Sequence, residues 1–376
     1  MKKYLATALF LLLTAGLPPS AFAEVKTIEV GSGYVMGDND SKIMARKIAT
    51  QEAQRKALEH AGTFVETLTI VKDYKLTKDE ITAYTAGVIE TKVLKEEMRG
   101  TAEKPEIYIN VRCKIDTDVL MKQIERYRES EELKEQLMVA AQENETLKKE
   151  RAKLISELSR EKDKTRADDT RKRLDLVLAK AESNDETAKV WNNYALREQF
   201  GEGQGDTGML AQAELDNASA TLNKAVRINP ENQRARVMLA AIYRKEGKLD
   251  AAEHELRKVL KHHPNNPYAR MQYGRILRER GMYREALEEF RAVEQRRPGG
   301  VHMLFQTGMT YKSLGECEPT LSYLSRFMRK TRHDRRPKFK RMRRKAAKVI
   351  RACGGHPERR PPRDRPPRRQ PSRFRY

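Results

Sequence analysis

The sequence predicts a chain of three parts: a small α+β domain, then a long coiled-coil helix, then an all-α solenoid of helical hairpins. Three observations lead to this prediction. Apolar residues alternate with polar ones along residues 106–115, as in a strand with one buried face. Residues 116–183 contain no proline or glycine and are rich in good helix formers. Downstream, proline and glycine recur at intervals of 34 residues, which is typical of stacked hairpins.

The α+β domain is predicted over residues 24–116. Apolar patterning predicts an amphipathic helix at about 40–60 and a short helix from Thr77, where Thr-Lys-Asp-Glu has the form of a capping box. Cys113 falls on the apolar face of the last strand, so we expect a buried thiol there. The predicted strands lie at residues 26–36, 64–74, 88–98 and 106–115.

Residues 117–183 are predicted to form one long helix with a coiled-coil seam. A heptad frame fits its middle, and a single buried asparagine at an a position favours a parallel homodimer. The alternative is a single solvated helix that acts as a spacer. The d positions are Leu133, Ala140, Leu147 and Leu154, and the a positions are Leu137, Asn144, Arg151 and Leu158.

The repeats are predicted over residues 184–332, where three sets of residues recur 34 apart. A small residue lets the two helices of a unit approach closely, glycine closes the turn between them, and proline ends the second helix. The sets are Ala240, Gly274 and Gly308; Gly247, Gly281 and Gly315; and Pro230, Pro264 and Pro298. This pattern resembles the tetratricopeptide repeat family, which implies a solenoid that binds proteins. A distorted earlier unit is predicted to contain Trp191 and Leu222, with a loop insertion at 200–208.

The same resemblance assigns a set of positions on the first helix of each unit to a partner-binding groove. Basic side chains interleaved with aromatic ones and methionine suit a protein or an extended acidic peptide. A merely solvated helix face is the alternative. Capture of a C-terminal carboxylate is not expected, because Ala241 and Arg275 stand where that function needs asparagine. The groove positions are Arg234, Val237, Ala241, Arg244 and Lys245, then Tyr268, Met271, Arg275 and Arg278, then His302, Phe305, Met309 and Lys312.

The first residues predict export. Two lysines precede the apolar run Leu5–Leu17, and Ala21-Phe22-Ala23 stands before Glu24, which is the layout of a cleavable secretory signal over residues 1–23. The apolar run is short for a membrane span, so a retained anchor is the lesser alternative. The predicted location is the periplasm, and nucleic acid is therefore not an expected partner.

After the repeats, residues 333–354 predict a basic capping helix with an apolar inner side. This helix would run antiparallel to the helix that begins at Cys317 and would bring Cys353 back beside it. A disulfide between Cys317 and Cys353 is therefore predicted, since an oxidising compartment permits one.

Residues 355–376 predict a disordered tail, because proline alternates with arginine and prevents both helix and core. Of the formal net charge of +22, most lies near this end: residues 326–376 hold 22 lysines and arginines against 3 acidic residues. Anionic lipid, lipopolysaccharide or peptidoglycan are the expected contacts, and a purely solubilising tail is the alternative. The tail arginines are Arg359, Arg360, Arg363, Arg365, Arg368, Arg369, Arg373 and Arg375.

Three stretches of the first domain carry a second resemblance. ARKIATQEAQRKALEHAGTFVE, LTKDEITAYTAGVIETKVL and IYINVRCKI resemble the N-terminal domain of the flagellar assembly protein T and the related LPP20-type envelope lipoproteins. The resemblance implies a periplasmic α+β module of assemblies beside the outer membrane. The cysteine that would carry a lipid in the lipoproteins is absent from this sequence.

These observations predict a non-catalytic periplasmic scaffold or adaptor that binds a protein or peptide in its groove and attaches to anionic envelope components through its tail. No short catalytic motif such as GxSxG or HExxH occurs, and no cofactor is expected. His262 and His263 lack further ligands at a suitable spacing, so no metal site is predicted. The alternatives are a structural component of a flagellar or secretion basal body and, third, a periplasmic enzyme with a non-local site.

Overall fold

The computed structural model describes residues 25–37, 40–71, 90–116, 124, 131–200, 208–296 and 298–357. Within these residues the chain forms three strands and eleven helices. The predicted signal peptide, the short helix from Thr77, the loop at 201–207 and the tail arginines lie outside the described residues.

The strands form one antiparallel sheet in the order β1-β3-β2. Val111 at the centre of β3 stands opposite Val30 on one side and Val93 on the other. The alternating residues of β3, from Ile107 to Ile115, are buried on one face, as predicted. The strands are β1 (Val25–Val35), β2 (Glu90–Gly100) and β3 (Pro105–Asp116).

Helix α1 (Lys42–Val71) packs against β1 and β3 through a row of small residues. Ala45, Ala49, Ala53, Ala57 and Ala61 recur every four residues and are fully buried, so the helix lies close to the sheet. The prediction of a strand at 64–74 is wrong for residues 64–71, which continue α1. Their β-branched residues suggested a strand, but the buried row extends to Val65 and holds the segment helical.

The predicted long helix is divided in the structure. Helix α2 (Glu131–Arg160) ends before a three-residue turn, and α3 (Lys164–Phe200) runs back alongside it. Asp163 begins α3, because its Oδ1 accepts a hydrogen bond from the Arg166 amide at 2.9 Å. The expected domain boundary at 183/184 therefore falls inside a continuous helix, α3, which belongs to both hairpins.

The heptad positions of α2 are used within the chain. Leu147, Leu154 and Leu158 are buried in a cluster that includes residues of α1 and α3. Asn144 Oδ1 accepts a hydrogen bond from Asn184 Nδ2 at 3.0 Å. Arg151 donates to Gln51 Oε1 at 3.1 Å and to Glu52 Oε2 at 3.0 Å. The seam predicted to form a parallel homodimer thus packs intramolecularly, and its two polar positions are satisfied by the same chain.

The remaining helices form a series of hairpins. Helix α4 packs against α3, and α5/α6, α7/α8 and α9/α10 form the three hairpins predicted from the 34-residue spacing. The three turn glycines, Gly247, Gly281 and Gly315, have φ angles of 77°, 81° and 79°, where a side chain would be strained. The helices are α4 (Gly208–Ile228), α5 (Gln233–Lys245), α6 (Leu249–His262), α7 (Pro267–Glu279), α8 (Tyr283–Arg296), α9 (Val301–Ser313), α10 (Cys317–Lys330) and α11 (Pro337–Ala352).

Helix α11 covers the end of the last hairpin. Its Phe339 and Ile350 are buried in one cluster with Phe327 of α10. The structure joins Cys353, just after α11, to Cys317 at the start of α10, with their Cα atoms 5.3 Å apart. Cys113 is a buried free thiol whose Sγ lies 4.0 Å from the Ala57 carbonyl oxygen.

Because the α2 seam packs within the chain, replacing Arg151 should destabilise the fold and leave the oligomeric state unchanged. Arg151→Leu should lower the free energy of unfolding by about 1–2 kcal/mol, because Glu52 loses a half-buried ion-pair partner. Urea denaturation and sedimentation measure the stability and the oligomeric state, with Lys149→Leu at an exposed position of the same helix as the control. A variant that was more stable and more dimeric than the wild type would instead support a coiled-coil seam.

Because of the disulfide, we expect the free energy of unfolding to depend on redox conditions. Reductant should lower the free energy of unfolding by about 3–4 kcal/mol, since the bond closes a loop of 36 residues in the unfolded chain. The double variant Cys317→Ser, Cys353→Ser should be equally stable with and without reductant. Peptide mapping without reductant that found Cys113 in a disulfide would contradict this pairing.

Candidate partner-binding groove

The first helices of the three hairpins, α5, α7 and α9, lie side by side. Two of them begin with an asparagine cap. Asn232 Oδ1 accepts a hydrogen bond from the Ala235 amide at 2.9 Å, and Asn266 Oδ1 accepts from the Tyr268 and Ala269 amides at 3.0 Å. Because the caps are 34 residues apart, α5 and α7 start at equivalent points and present equivalent positions.

One position of the repeat is basic in all three units. Arg244, Arg278 and Lys312 recur 34 residues apart in the last turns of α5, α7 and α9, and we call them the basic column. Arg244 Nη1 donates to Glu279 Oε1 of α7 at 2.6 Å. Arg278 Nη1 donates to Gln306 Oε1 of α9 at 2.6 Å. The column therefore joins the three first helices by side-chain contacts.

The two arginines of the column are close and partly desolvated. Burial lowers the pKa of the Arg278 guanidinium; Glu279 opposes this effect and Arg244 adds to it. An arginine stays protonated despite such a shift. The amide of Gln306 accepts a hydrogen bond from Arg278 but carries no charge. Arg275, one turn earlier on α7, is half-buried and its Nη1 lies 3.5 Å from Gln272 Oε1.

The groove position at the start of α5 contacts another part of the chain. Arg234 Nη2 lies 3.3 Å from Glu143 Oε2 of α2, and burial lowers the pKa of the Arg234 guanidinium. Tyr268 stands at the equivalent place on α7 and is half-buried. Helix α2 therefore occupies this end of the groove, beside the start of α5.

The structure corrects the prediction for the third unit. His302 is 9% exposed with its ring 5.3 Å from that of Phe339, and Phe305 is 7% exposed with its ring 5.2 Å from that of Phe327. Met309 packs against the same cluster. No further hairpin follows α10 in the described chain, so α11 covers these apolar side chains instead. His302 and Phe305 are therefore buried at the end of the stack, and Met309 is partly buried there.

The other groove positions divide into two kinds. Val237 and Met271 are partly buried in the packing of the hairpins. Ala241 is half-buried, and Lys245 is exposed at the end of α5. What remains available on α5, α7 and the end of α9 is the surface that we call the basic groove. It consists of Ala241, Arg244, Lys245, Tyr268, Arg275, Arg278 and Lys312.

Sequence reasoning missed three side chains that pair with the groove: Glu143, Glu279 and Gln306. Gln306 has a counterpart 34 residues earlier at Gln272, so the repeat itself could have identified it. Glu279 lies 34 residues after Lys245 and takes the equivalent position in the next unit, so an alignment of the units could also have identified it. Glu143 had no local signal, because its contact with Arg234 depends on how α2 folds back.

The described residues contain no group of three or more His, Cys, Asp or Glu side chains that could hold a metal ion. His262 and His263, at the end of α6, are both exposed. No helix in the described part of the chain combines the length and the apolar character that crossing a membrane requires.

The chain is similar to solved structures of MamA, at 16% identity over 40% of this chain and 94% of that one, with a TM-score of 0.31. It is also similar to YrrB, described as a TPR protein with an unusual peptide-binding site, at 20% identity over 61% of this chain and 97% of that one, with a TM-score of 0.33. Its identity to TTC0263 of Thermus thermophilus is 19% over 39% of this chain and 78% of that one, with a TM-score of 0.33. Similarity at these TM-scores carries no argument about function.

No curated protein matches the chain at a significant level. A family model does match it, over residues 238–301, which contain most of α5, all of α6 to α8 and the first residue of α9. The description of that model is Tetratricopeptide repeat. Proteins with these repeats are generally protein-binding scaffolds. The hairpins that carry Arg244, Arg275 and Arg278 lie largely within the segment that matches this model.

Proposed function

We propose that this chain is a non-catalytic scaffold whose basic groove binds an acidic segment of another polypeptide. The observation that carries the proposal is the basic column, in which successive first helices each place one cation on the same side of the stack. A partner that runs across the helices would meet Arg244, Arg278 and Lys312 in turn.

Charge favours an acidic partner. The basic groove holds five cations, and Arg244 contacts the carboxylate of Glu279. Arg278 donates to a neutral amide, so a carboxylate from a partner could replace Gln306 and form a stronger, charge-assisted hydrogen bond. These guanidinium groups are already partly desolvated and held in place. Binding a partner would therefore cost little further desolvation and little side-chain entropy.

Apolar contacts would come from the middle of the same surface. Ala241, one turn before Arg244 on α5, and Tyr268, at the start of α7, are half-buried members of this surface. A bound segment with alternating acidic and apolar residues would match both features. Charged groups would set its direction and register, and apolar groups would supply part of the affinity.

The proposed place of action is the periplasm. The secretory pattern of residues 1–23 supports it, and a disulfide between Cys317 and Cys353 suits an oxidising compartment. In this proposal the first domain docks to an envelope component, as its resemblance to the flagellar assembly protein T domain and LPP20-type lipoproteins suggests. The arginine-rich tail attaches to anionic envelope material. A structural role in a flagellar or secretion basal body is the second candidate, supported by the same resemblance.

The binding proposal predicts a loss of affinity for an acidic probe. The probe is a fluorescein-labelled peptide of repeated Glu-Leu-Asp-Phe, measured by fluorescence anisotropy against the full chain. The double variant Arg275→Gln, Arg278→Gln should bind at least about tenfold more weakly, which corresponds to about 1.4 kcal/mol. Raising the salt concentration should weaken the wild type more than the variant.

A matched control removes the same charge from the same hairpin. Arg284→Gln, Arg296→Gln changes two exposed cations of α8 and should leave the affinity unchanged. Equal losses in both double variants would show that net charge alone attracts the probe. A wild type that did not bind it at all would contradict the proposed function.

The proposed location predicts a processed N-terminus. When the full gene is expressed in a Gram-negative host, mass spectrometry of the periplasmic fraction should find a mature chain that begins at Glu24. The first peptide is the readout. Recovery of the chain in the cytosolic fraction with Met1 intact would contradict the periplasmic assignment.

A further inference from the structure

Helix α11 carries a row of cations on its outer side. Arg341, Arg344, Lys345, Lys348 and Arg351 are all exposed, and we call them the α11 stripe. Their spacing of three or four residues places them on one side of the helix. The opposite side holds the buried Phe339, Ala346 and Ile350. Helix α11 therefore has one face that caps the repeats and another that carries only positive charge.

Nothing in the described part of the chain neutralises the α11 stripe. Helix α11 contains eight lysine and arginine residues and no acidic residue. None of the five stripe side chains has an ion-pair partner among the described residues. Like charges at these spacings destabilise a helix. Exposed helices elsewhere in this chain interleave both signs; Arg257 of α6, for example, pairs with Glu253 at 2.6 Å.

The stripe is held rigidly. Phe339 packs against the rings of His302 and Phe327 near the start of the helix. At the other end, the disulfide from Cys353 to Cys317 ties the helix to α10. Its like charges are thus kept together by apolar burial and a covalent bond. A surface organised in this way loses little entropy when it binds a matching row of anions.

We propose that the α11 stripe docks the chain on an anionic lipid surface. The stripe extends over about 15 Å of a straight helix, so its five charges can meet a flat surface together. It contains no large apolar side chain that could insert, which suits adsorption to lipid phosphates. In the sequence, α11 leads into eight further arginines of the tail, which continue the same charge.

This inference rests on the proposed attachment to anionic envelope material and adds a folded element to it. A tail alone would tether the chain without orienting it. A rigid helix that lies on the membrane also sets the direction of α10, because the disulfide and the Phe327 cluster join the two. The repeat stack, and with it the basic groove, would then have a defined orientation to the lipid surface.

Vesicle co-sedimentation of the full chain tests the inference. The vesicles contain phosphatidylglycerol and phosphatidylcholine, or phosphatidylcholine alone. The stripe variant replaces Arg341, Arg344, Lys345, Lys348 and Arg351 by Gln. Its partition coefficient on the anionic vesicles should fall at least about tenfold, since each cation near such a surface contributes to binding. Its thermal midpoint should be no lower than that of the wild type, because like charges are removed from the helix, and its affinity for the acidic peptide probe should match the wild type.

Two full-length controls separate the stripe from net charge and from the tail. The first replaces five exposed cations of α2, α3 and their connection by Gln and should retain nearly wild-type binding. The second replaces the eight tail arginines by Gln and should retain part of the binding. The first control changes Lys149, Arg160, Lys162, Lys164 and Lys172.

The outcomes are distinguishable. Equal losses in the stripe variant and the charge-matched control would overturn the inference. So would a stripe variant that bound like the wild type while the tail variant lost all binding, although attachment through the tail would then stand. If the wild-type chain did not co-sediment with anionic vesicles, the proposed attachment of the chain to anionic envelope material would be contradicted. Tighter binding of the wild type to duplex DNA than to the vesicles, at equal salt, would contradict a lipid partner.

Discussion

The two helices of each hairpin approach each other closely at one small residue, and the packing of the repeats follows from this contact. A Cβ atom at Gly274 would lie 2.5 Å from Phe290, and one at Gly308 would lie 2.7 Å from Leu324. Because nothing larger fits at these two positions, the two helices of each of these hairpins must lie close together, while Ala240 takes the same place in the first hairpin. The packing of the first helices side by side brings Arg244 to Glu279 and Arg278 to Gln306, so the contacts of the basic column depend on how the hairpins stack.

Other parts of the same chain contact both ends of the groove. Helix α11 buries apolar groove positions of α9, and Glu143 of α2 pairs with Arg234 at the start of α5. A repeat stack needs a cover such as α11, because its terminal unit would otherwise expose apolar surface. These contacts also shorten the groove. What a partner can reach is the basic surface of α5 and α7 and the end of α9.

Local periodicity predicted much of this fold, and long-range packing explains where it failed. The hairpins follow from residues that repeat every 34 positions, and the pairing of Cys317 with Cys353 follows from two adjacent antiparallel helices. A heptad shows only that one helix face must be covered, and α1 and α3 cover the α2 seam where a second chain was expected. Likewise, nothing near His302 in sequence indicates that Phe339 will cover it.

Site-specific photo-crosslinking in intact cells tests whether the open part of the groove contacts another polypeptide. Benzoylphenylalanine would replace Ala241 or Lys312 in the basic groove, or Glu288, an exposed residue of α8. Positions 241 and 312 should crosslink to the same polypeptide, and position 288 should not. Crosslinks from 241 and 312 only to this chain's own segments, or the same partner from 288, would contradict the proposed contact.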